Sequence, residues 1–207
     1  MFITFEGLDF CGKSTQVELL KEYLIKRNKA VKIIREPGGT KISEKIRDLL
    51  LDRDNNEMIP LTELLLFTAS RVQLVKQIII PSIEKGTFVI SDRFHDSSIA
   101  YQGYGRGIDL DFVIPLQNFA IKGAEPDITF FLDIPVQEVN KRKRKLTQQQ
   151  LDRIEISKNK FYEDVRMGYL KIAEKEKRFK IINGLNSIEE IHKQIINEIN
   201  KLENIGS

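Results

Sequence analysis

The chain has 207 residues, with 41% hydrophobic and 30% charged side chains and 12 glycines, proportions that exclude disordered and fibrous classes and fit one compact domain over residues 1–207. The 33 basic and 30 acidic residues leave a net charge of only +3, which excludes a general duplex-binding surface, and the single cysteine excludes an internal disulfide. No apolar run approaches the ~18 residues of a membrane span and no cleavable leader precedes the first β-prone run, so the expectation is a cytoplasmic protein with no membrane or nucleic-acid partner.

Phe2 to Glu6 form a β-prone run closed by Gly7, after which Val17, Leu20 and Leu24 recur at helical spacing. Ala30 to Ile34 reads as a second strand, and Glu36-Pro37-Gly38-Gly39 as a turn. Pro60 and Pro81 bound a long helical region, and Thr87 to Ser91 is a third strand. Glu125-Pro126-Asp127 precedes a fourth at Ile128 to Leu132, and Phe179 to Ile182 is a fifth. Continuously apolar strands joined by helix-length connections predict an α/β fold, a doubly wound parallel five-stranded sheet with helices on both faces. Lys141-Arg142-Lys143-Arg144-Lys145, followed by polar Leu146-Thr147-Gln148-Gln149-Gln150, departs from globular composition and reads as a short mobile lid over about 140–153. Residues after Leu202 are expected to fray.

Gly7-Leu8-Asp9-Phe10-Cys11-Gly12-Lys13-Ser14 matches GxxxxGK[ST] between the first strand and the first helix, the context that a phosphate-binding P-loop requires. Glycines open conformations in which successive N–H groups converge on phosphate oxygens at a helix N-terminus. Lys13 is placed to bridge β- and γ-phosphates and Ser14 to ligate Mg²⁺. Gly7, Leu8, Asp9, Phe10, Cys11, Gly12, Lys13, Ser14 and Thr15 are therefore the expected ATP-binding set. A glycine turn capping a buried helix is the alternative.

A P-loop alone fits a GTPase switch, an ATPase motor or a small-molecule kinase. No Asn-Lys-x-Asp base-reading motif is present, which argues against the GTPase. Asp92, ending the third strand, fits a carboxylate that holds Mg²⁺ directly or through water. The next residue is Arg93 rather than the second acid of a motor, and it suits bidentate binding of an acceptor phosphate.

Arg35-Glu36-Pro37-Gly38-Gly39-Thr40, Asp92-Arg93-Phe94 and Ala100-Tyr101-Gln102-Gly103-Tyr104-Gly105-Arg106-Gly107 resemble motifs of the bacterial-type thymidylate kinases in order and spacing. Glu44-Lys45-Ile46-Arg47, Phe67-Thr68-Ala69-Ser70-Arg71 and Leu151-Asp152-Arg153-Ile154-Glu155 are similar to the same family. The resemblance implies transfer of the ATP γ-phosphoryl group to dTMP with Mg²⁺ as cofactor, and a homodimer. It also implies that Phe67 stacks on thymine, Arg71 reaches a thymine carbonyl, Arg47 and Arg93 clamp the dTMP phosphate, and Asp9 accepts from the sugar 3′-hydroxyl. Tyr101 is implied to crowd a ribose 2′-hydroxyl, with Ser97, Ser98 and Gln102 sharing its helix side. Glu36 and Pro37 wall the acceptor site or form a plain turn. A core phenylalanine, a solvated helix charge and a loop cap remain the plainer readings of Phe67, Arg71 and Asp9.

An already ionised acceptor needs no general base, so the catalytic groups are expected to be cationic: Lys13, Arg93 and lid arginines. Phe10 stands where one branch of the family carries a P-loop arginine, which shifts that role to Arg153, Arg142 or Arg144. Arg153 is favoured because it lies in the matching lid motif. The rival readings are another nucleoside-monophosphate kinase acting on UMP or dUMP, a non-catalytic ATP-binding regulator, and a nucleic-acid contact through residues 141–145. His95 and His192 are assigned no chemistry.

Overall fold

A computed structural model of the chain describes residues 1–144, 147 and 151–205. Five short runs, β1 (Phe2–Glu6), β2 (Val31–Arg35), β3 (Phe88–Asp92), β4 (Ile128–Asp133) and β5 (Phe179–Asn183), pair as an all-parallel sheet in the order β2-β3-β1-β4-β5. β1, β3 and β4 are buried almost throughout, the reason their sequences are continuously apolar. β2 and β5 are the open edges and alternate between buried and exposed positions. All five strands fall within one residue of their expected bounds at either end.

α1 (Lys13–Lys26) lays Val17, Leu20 and Leu24 on the sheet, and α9 (Ile188–Ile205) packs beside it through Ile191, Ile195 and Ile199. α9 continues three residues past Leu202, where fraying was expected. α2 (Lys41–Leu51), α6 (Leu110–Ile121), α7 (Val136–Lys143) and α8 (Asn159–Lys175) complete the layers. The chain leaves β1 toward β2 and β3 and later crosses to β4 on the other side. That divergence opens a crevice at the carboxyl ends of the strands, where such sheets bind ligands.

Two helical runs differ from simple periodicity. α3 (Pro60–Leu74) passes through a π-helical turn, Val75–Ile79, into α4 (Ile80–Glu84). Pro81 therefore does not bound the region. The wider turn just before it accommodates a residue with no N–H to donate. The helical stretch Pro60–Glu84 contains an 18-residue part with a mean hydropathy of 1.3, long and apolar enough by length and composition alone to cross a membrane, contrary to the expectation that no such run exists. In the fold it is a core helix that buries Leu64, Leu74, Val75 and Ile79. The second run is α5 (His95–Ser98), which continues as a π-helical segment, Ile99–Gly105.

Of the expected lid, residues 145, 146 and 148–150 lie outside the described residues. Its flanks are the end of α7 and a turn over residues 151–156.

α8 packs on the π-helical segment at two glycines. A Cβ at Gly168 would stand 2.7 Å from the Tyr104 ring, and one at Gly105 would stand 2.7 Å from both Phe161 and Val165. Gly168→Ala is expected to lower stability by about 1–3 kcal/mol through overpacking, read by urea denaturation. An exposed control such as Lys171→Ala should change it by less than about 0.5 kcal/mol.

Candidate active site

The parallel register sets Phe5 opposite Asp92 and Ile34 opposite Ser91. The loop after β1, the turn after β2 and the turn after β3 therefore meet at one point. They frame a cavity of about 670 Å³.

Gly7 (φ 141°) and Gly12 (φ 100°) take left-handed conformations, and a Cβ at Gly7 would stand 2.6 Å from the Leu132 carbonyl oxygen. Glycine is required there. α1 begins directly after Gly12 with no side-chain cap, which leaves its first N–H groups free for an anion. The Leu8 and Cys11 side chains belong to the hydrophobic core, while Asp9, Phe10, Gly12, Lys13, Ser14 and Thr15 line the cavity. Lys13 is buried, and its Nζ donates to the Leu8 carbonyl at 3.0 Å and lies 3.6 Å from Cys11 Sγ. Ser14 Oγ donates to Asp92 Oδ2 at 2.7 Å.

Arg93 is a left-handed non-glycine residue (φ 71°), a conformation that costs of order 1–3 kcal/mol and persists only where the surroundings enforce it. Its Nη2 donates to Asp9 Oδ1 at 2.6 Å and to the Tyr101 hydroxyl at 3.0 Å, and its Nη1 to the Gly7 carbonyl at 2.9 Å. Burial works against both charges of this pair. For Asp9, Arg93 and Lys13 outweigh burial and hold the carboxyl below its ordinary pKa. For Arg93, Tyr101, Asp9, Tyr169 and Glu6 together keep the guanidinium charged. Tyr162 adds a third donor to Asp9, from its hydroxyl to Oδ2 at 3.2 Å.

The residues expected around the acceptor share this cavity. Glu36, Pro37, Arg47, Phe67, Arg71, Arg93, Ser97, Ser98, Tyr101 and Gln102 all line the cavity. Arg71 is not a solvated helix charge: it is fully buried and four of its N–H groups donate to protein acceptors. Nε donates to Glu36 Oε2 at 2.7 Å, Nη1 to Ser98 Oγ and to Gln117 Oε1, and Nη2 to the Phe94 carbonyl, with Nη2 also in ion-pair contact with Glu36 Oε2. Burial raises the pKa of Glu36 even against Arg71, and its Oε1 is a buried acceptor with no partner among the described residues. Arg47 donates to the Pro37 carbonyl at 2.8 Å, and burial together with Arg35 lowers its pKa. Phe67 is half-buried with its ring on the cavity.

The lid arginines separate. Arg142 lines the cavity, and its Nη1 donates to the Phe10 carbonyl at 2.9 Å, so a cation does stand beside the P-loop position that phenylalanine occupies. Arg144 is exposed in a separate groove with Arg53 and Lys143. Arg153 is buried away from the cavity. It donates to the Leu50 carbonyl at 2.9 Å and to Glu63 Oε2 at 2.7 Å. The ion-pair partner of Arg153 is Glu63 rather than its chain neighbours Asp152 and Glu155. Those two acids cap their own turn: Asp152 Oδ1 accepts from the N–H groups of Ile154 and Glu155 at 2.8 Å, and Glu155 Oε2 from Asp152 N–H at 2.9 Å.

Sequence reasoning missed Glu6, Glu63 and Tyr169. Glu63 is a buried acid on an apolar helix that gathers Gln102, Arg106 and Arg153. Burial would raise its pKa, and Arg106, Gln102 and Arg153 together lower it. Glu6 ends an apolar strand, and burial followed by Asp96 raises its pKa to about 7. A charged residue inside an otherwise apolar element was the available signal in both cases. His95 is buried, held down to about pKa 4 by burial, and lies beside an Asp96–Arg178 pair outside the cavity. Among the described residues no group of three His, Cys, Asp or Glu side chains is placed to hold a metal.

A family model described as thymidylate kinase matches residues 5–195. The chain belongs to the thymidylate kinase family. The thymidylate kinase of Thermosipho melanesiensis is 52% identical over 195 residues, covering 94% of this chain and 95% of that one. The thymidylate kinase of Chlorobaculum tepidum is 48% identical over 210 residues, with 98% of each covered. A solved thymidylate kinase from Ehrlichia chaffeensis superposes with a TM-score of 0.78 at 38% identity, covering 97% of this chain and 98% of that one. The five-stranded P-loop architecture is thus that of the thymidylate kinases, and the chain is a nucleoside-monophosphate kinase.

Within this thymidylate kinase fold, the ion pair of Arg153 with Glu63 anchors the turn over residues 151–156 to α3. Arg153→Ala is expected to cost about 2–4 kcal/mol, because it leaves a buried carboxylate short of a partner. Arg144→Ala, at an exposed position, should cost under about 0.5 kcal/mol. Chemical denaturation of the two variants makes the comparison.

Proposed function

We propose that the chain transfers the γ-phosphoryl group of ATP to dTMP, giving dTDP and ADP, as a single catalytic domain over residues 1–207 in the cytoplasm, with the lone thiol of Cys11 reduced. The observation that carries this reading is one continuous cavity lined both by P-loop residues with Ser14 and Asp92 and by Phe67, Arg47, Arg93 and Tyr101. A nucleoside triphosphate and a nucleoside monophosphate fit there with their phosphates facing each other.

The N–H groups at the start of α1 bind the β-phosphate region, and Lys13 exchanges its loop carbonyl for phosphate oxygens. Ser14 Oγ and Asp92 Oδ2, 2.7 Å apart at the cavity wall, are hard oxygen donors of the kind that hold Mg²⁺ alongside waters and substrate phosphates. Bound there, the ion supplies neutralisation of β- and γ-oxygen charge. Arg47 and Arg93 hold the acceptor phosphate. Phe67 stacks on the thymine, and Ser98 with Arg71, already hydrogen-bonded to each other, forms the polar edge that reads the base. Asp9 accepts from the 3′-hydroxyl, and Tyr101, pinned by Arg93 and Asp9, stands against a ribose 2′-hydroxyl. An acceptor oxygen attacks the γ-phosphorus as the bond to the ADP oxygen breaks. No proton needs to be removed, so the task is positioning and charge neutralisation. The seats of the three arginines support Arg142 as the lid-side catalytic cation, Arg153 as structural, and Arg144 as further from the phosphates.

Coupled ADP release across nucleoside monophosphates tests the whole reading. The fastest turnover is expected with dTMP and abolition with Lys13→Ala. Preference for UMP or dUMP would indicate the wider kinase class, and no acceptor-dependent turnover would indicate a regulator. Arg142→Ala should lower kcat by about 10²-fold or more and Arg153→Ala by less than about 5-fold. The reverse order would return the catalytic role to Arg153.

The same proposal includes a homodimer. Leu61, Leu65 and Val72 are exposed along one side of α3, Phe112 and Phe119 along the neighbouring α6, and Phe119 is 79% exposed. An apolar surface of this kind suits a partner copy. Sedimentation is expected to show a dimer that Leu65→Asp converts to monomer, and a monomeric parent protein would refute it.

A further inference from the structure

Glu6 ends a strand whose other four residues are apolar or hydroxylic and fully buried, and it forms no ion pair among the described residues. A buried carboxylate without a cation in contact is costly unless its hydrogen bonds are complete. Here they are. Oε1 accepts from Phe94 N–H at 2.7 Å, and Oε2 accepts from the Ser97 hydroxyl at 2.6 Å and from the Tyr169 hydroxyl at 2.8 Å. The same two hydroxyl oxygens each lie 3.2 Å from Arg93 Nη1.

A hydroxyl carries one proton and two lone pairs. Because Glu6 claims the proton of each, both oxygens present lone pairs to the guanidinium. Without that acceptor the two hydroxyls, 2.8 Å apart, would share protons with each other, and one O–H would then face an N–H of Arg93. The bond to Phe94 N–H fixes the residue next to the left-handed Arg93 itself. The other charged neighbour is Asp96 on α5, which is taken by Arg178 at 2.7 and 2.8 Å and leaves Glu6 to the Arg93 side.

We propose that Glu6 is a positioning residue for acceptor binding: it orients the Ser97 and Tyr169 hydroxyls as acceptors for Arg93 and pins the turn that carries Arg93, so that the guanidinium is seated before the substrate arrives. This rests on the reading of Arg93 as a clamp on the acceptor phosphate. A group already in place loses no freedom on binding, and the effect therefore falls on acceptor affinity rather than on the nucleoside triphosphate.

Steady-state kinetics of Glu6→Gln, Arg93→Ala and the parent, with dTMP and ATP varied in turn, test it. In Glu6→Gln an amide NH₂ confronts at least one of three donors. The dTMP KM is expected to rise about 10-fold or more, with ATP KM and kcat within about 3-fold. An equal rise in both KM values, or none in dTMP KM, would overturn the proposal, since a merely structural role would move both substrates together. An unchanged dTMP KM in Arg93→Ala would instead bring down the reading of Arg93 and the inference with it. Should Glu6→Gln fail to fold, Tyr169→Phe keeps the ring stacked on Phe131 and removes only the hydroxyl. A rise of about 3-fold or more in dTMP KM alone is then expected, and no change overturns the proposal.

Discussion

The pairing of Phe5 with Asp92 across two neighbouring parallel strands is the constraint on which the rest of the site depends. It brings a glycine loop and a strained arginine turn to the same height above the sheet. From that height follow the 2.7 Å contact of Ser14 with Asp92 and the 2.9 Å bond from Arg93 to the Gly7 carbonyl. A shift of one residue in either strand would turn Asp92 to the other face and leave Ser14 without its partner.

Around that point the cavity wall carries two ion pairs, fully buried Arg71 with Glu36 and partly buried Arg93 with Asp9. Such pairs are weak contributors to stability when compared with apolar packing of the same volume. They do hold charged groups at fixed positions in a poorly solvated site, where fixed charge is most effective on a phosphoryl group. Arg71 shows the arrangement at its fullest. Its partners Glu36, Phe94, Ser98 and Gln117 come from separate parts of the chain, so the guanidinium plane is set by the fold rather than by solvent.

Local patterns made the strands and the P-loop legible, because each is written in consecutive residues whose chemistry has one strong interpretation. The residues expected around the acceptor were legible only through family motifs, and in the structure they line one cavity. What stayed hidden depends on partners distant in sequence. Nothing near residue 153 says that it meets Glu63, or that Asp152 and Glu155 on either side of it cap each other's N–H groups in a turn. The same limit applies to the stretch Pro60–Glu84, whose composition alone fits a bilayer. Its burial within the fold comes from neighbours that the stretch itself does not contain. π-helical turns also escape a 3.6-residue reading, which is why the role of Pro81 was misjudged.

The two outer strands bear on how molecules of this protein meet one another. An open β-edge offers a row of unpaired amide and carbonyl groups on which another chain can extend the sheet. β2 places Lys32 and Arg35 at exposed positions along its five residues, and β5 carries Lys180 with α9 lying across it. Strand addition on either side would bring like charges together between identical edges. Fibrillar stacking is thereby discouraged at both margins of the sheet, and the helical faces carry no such repeating edge.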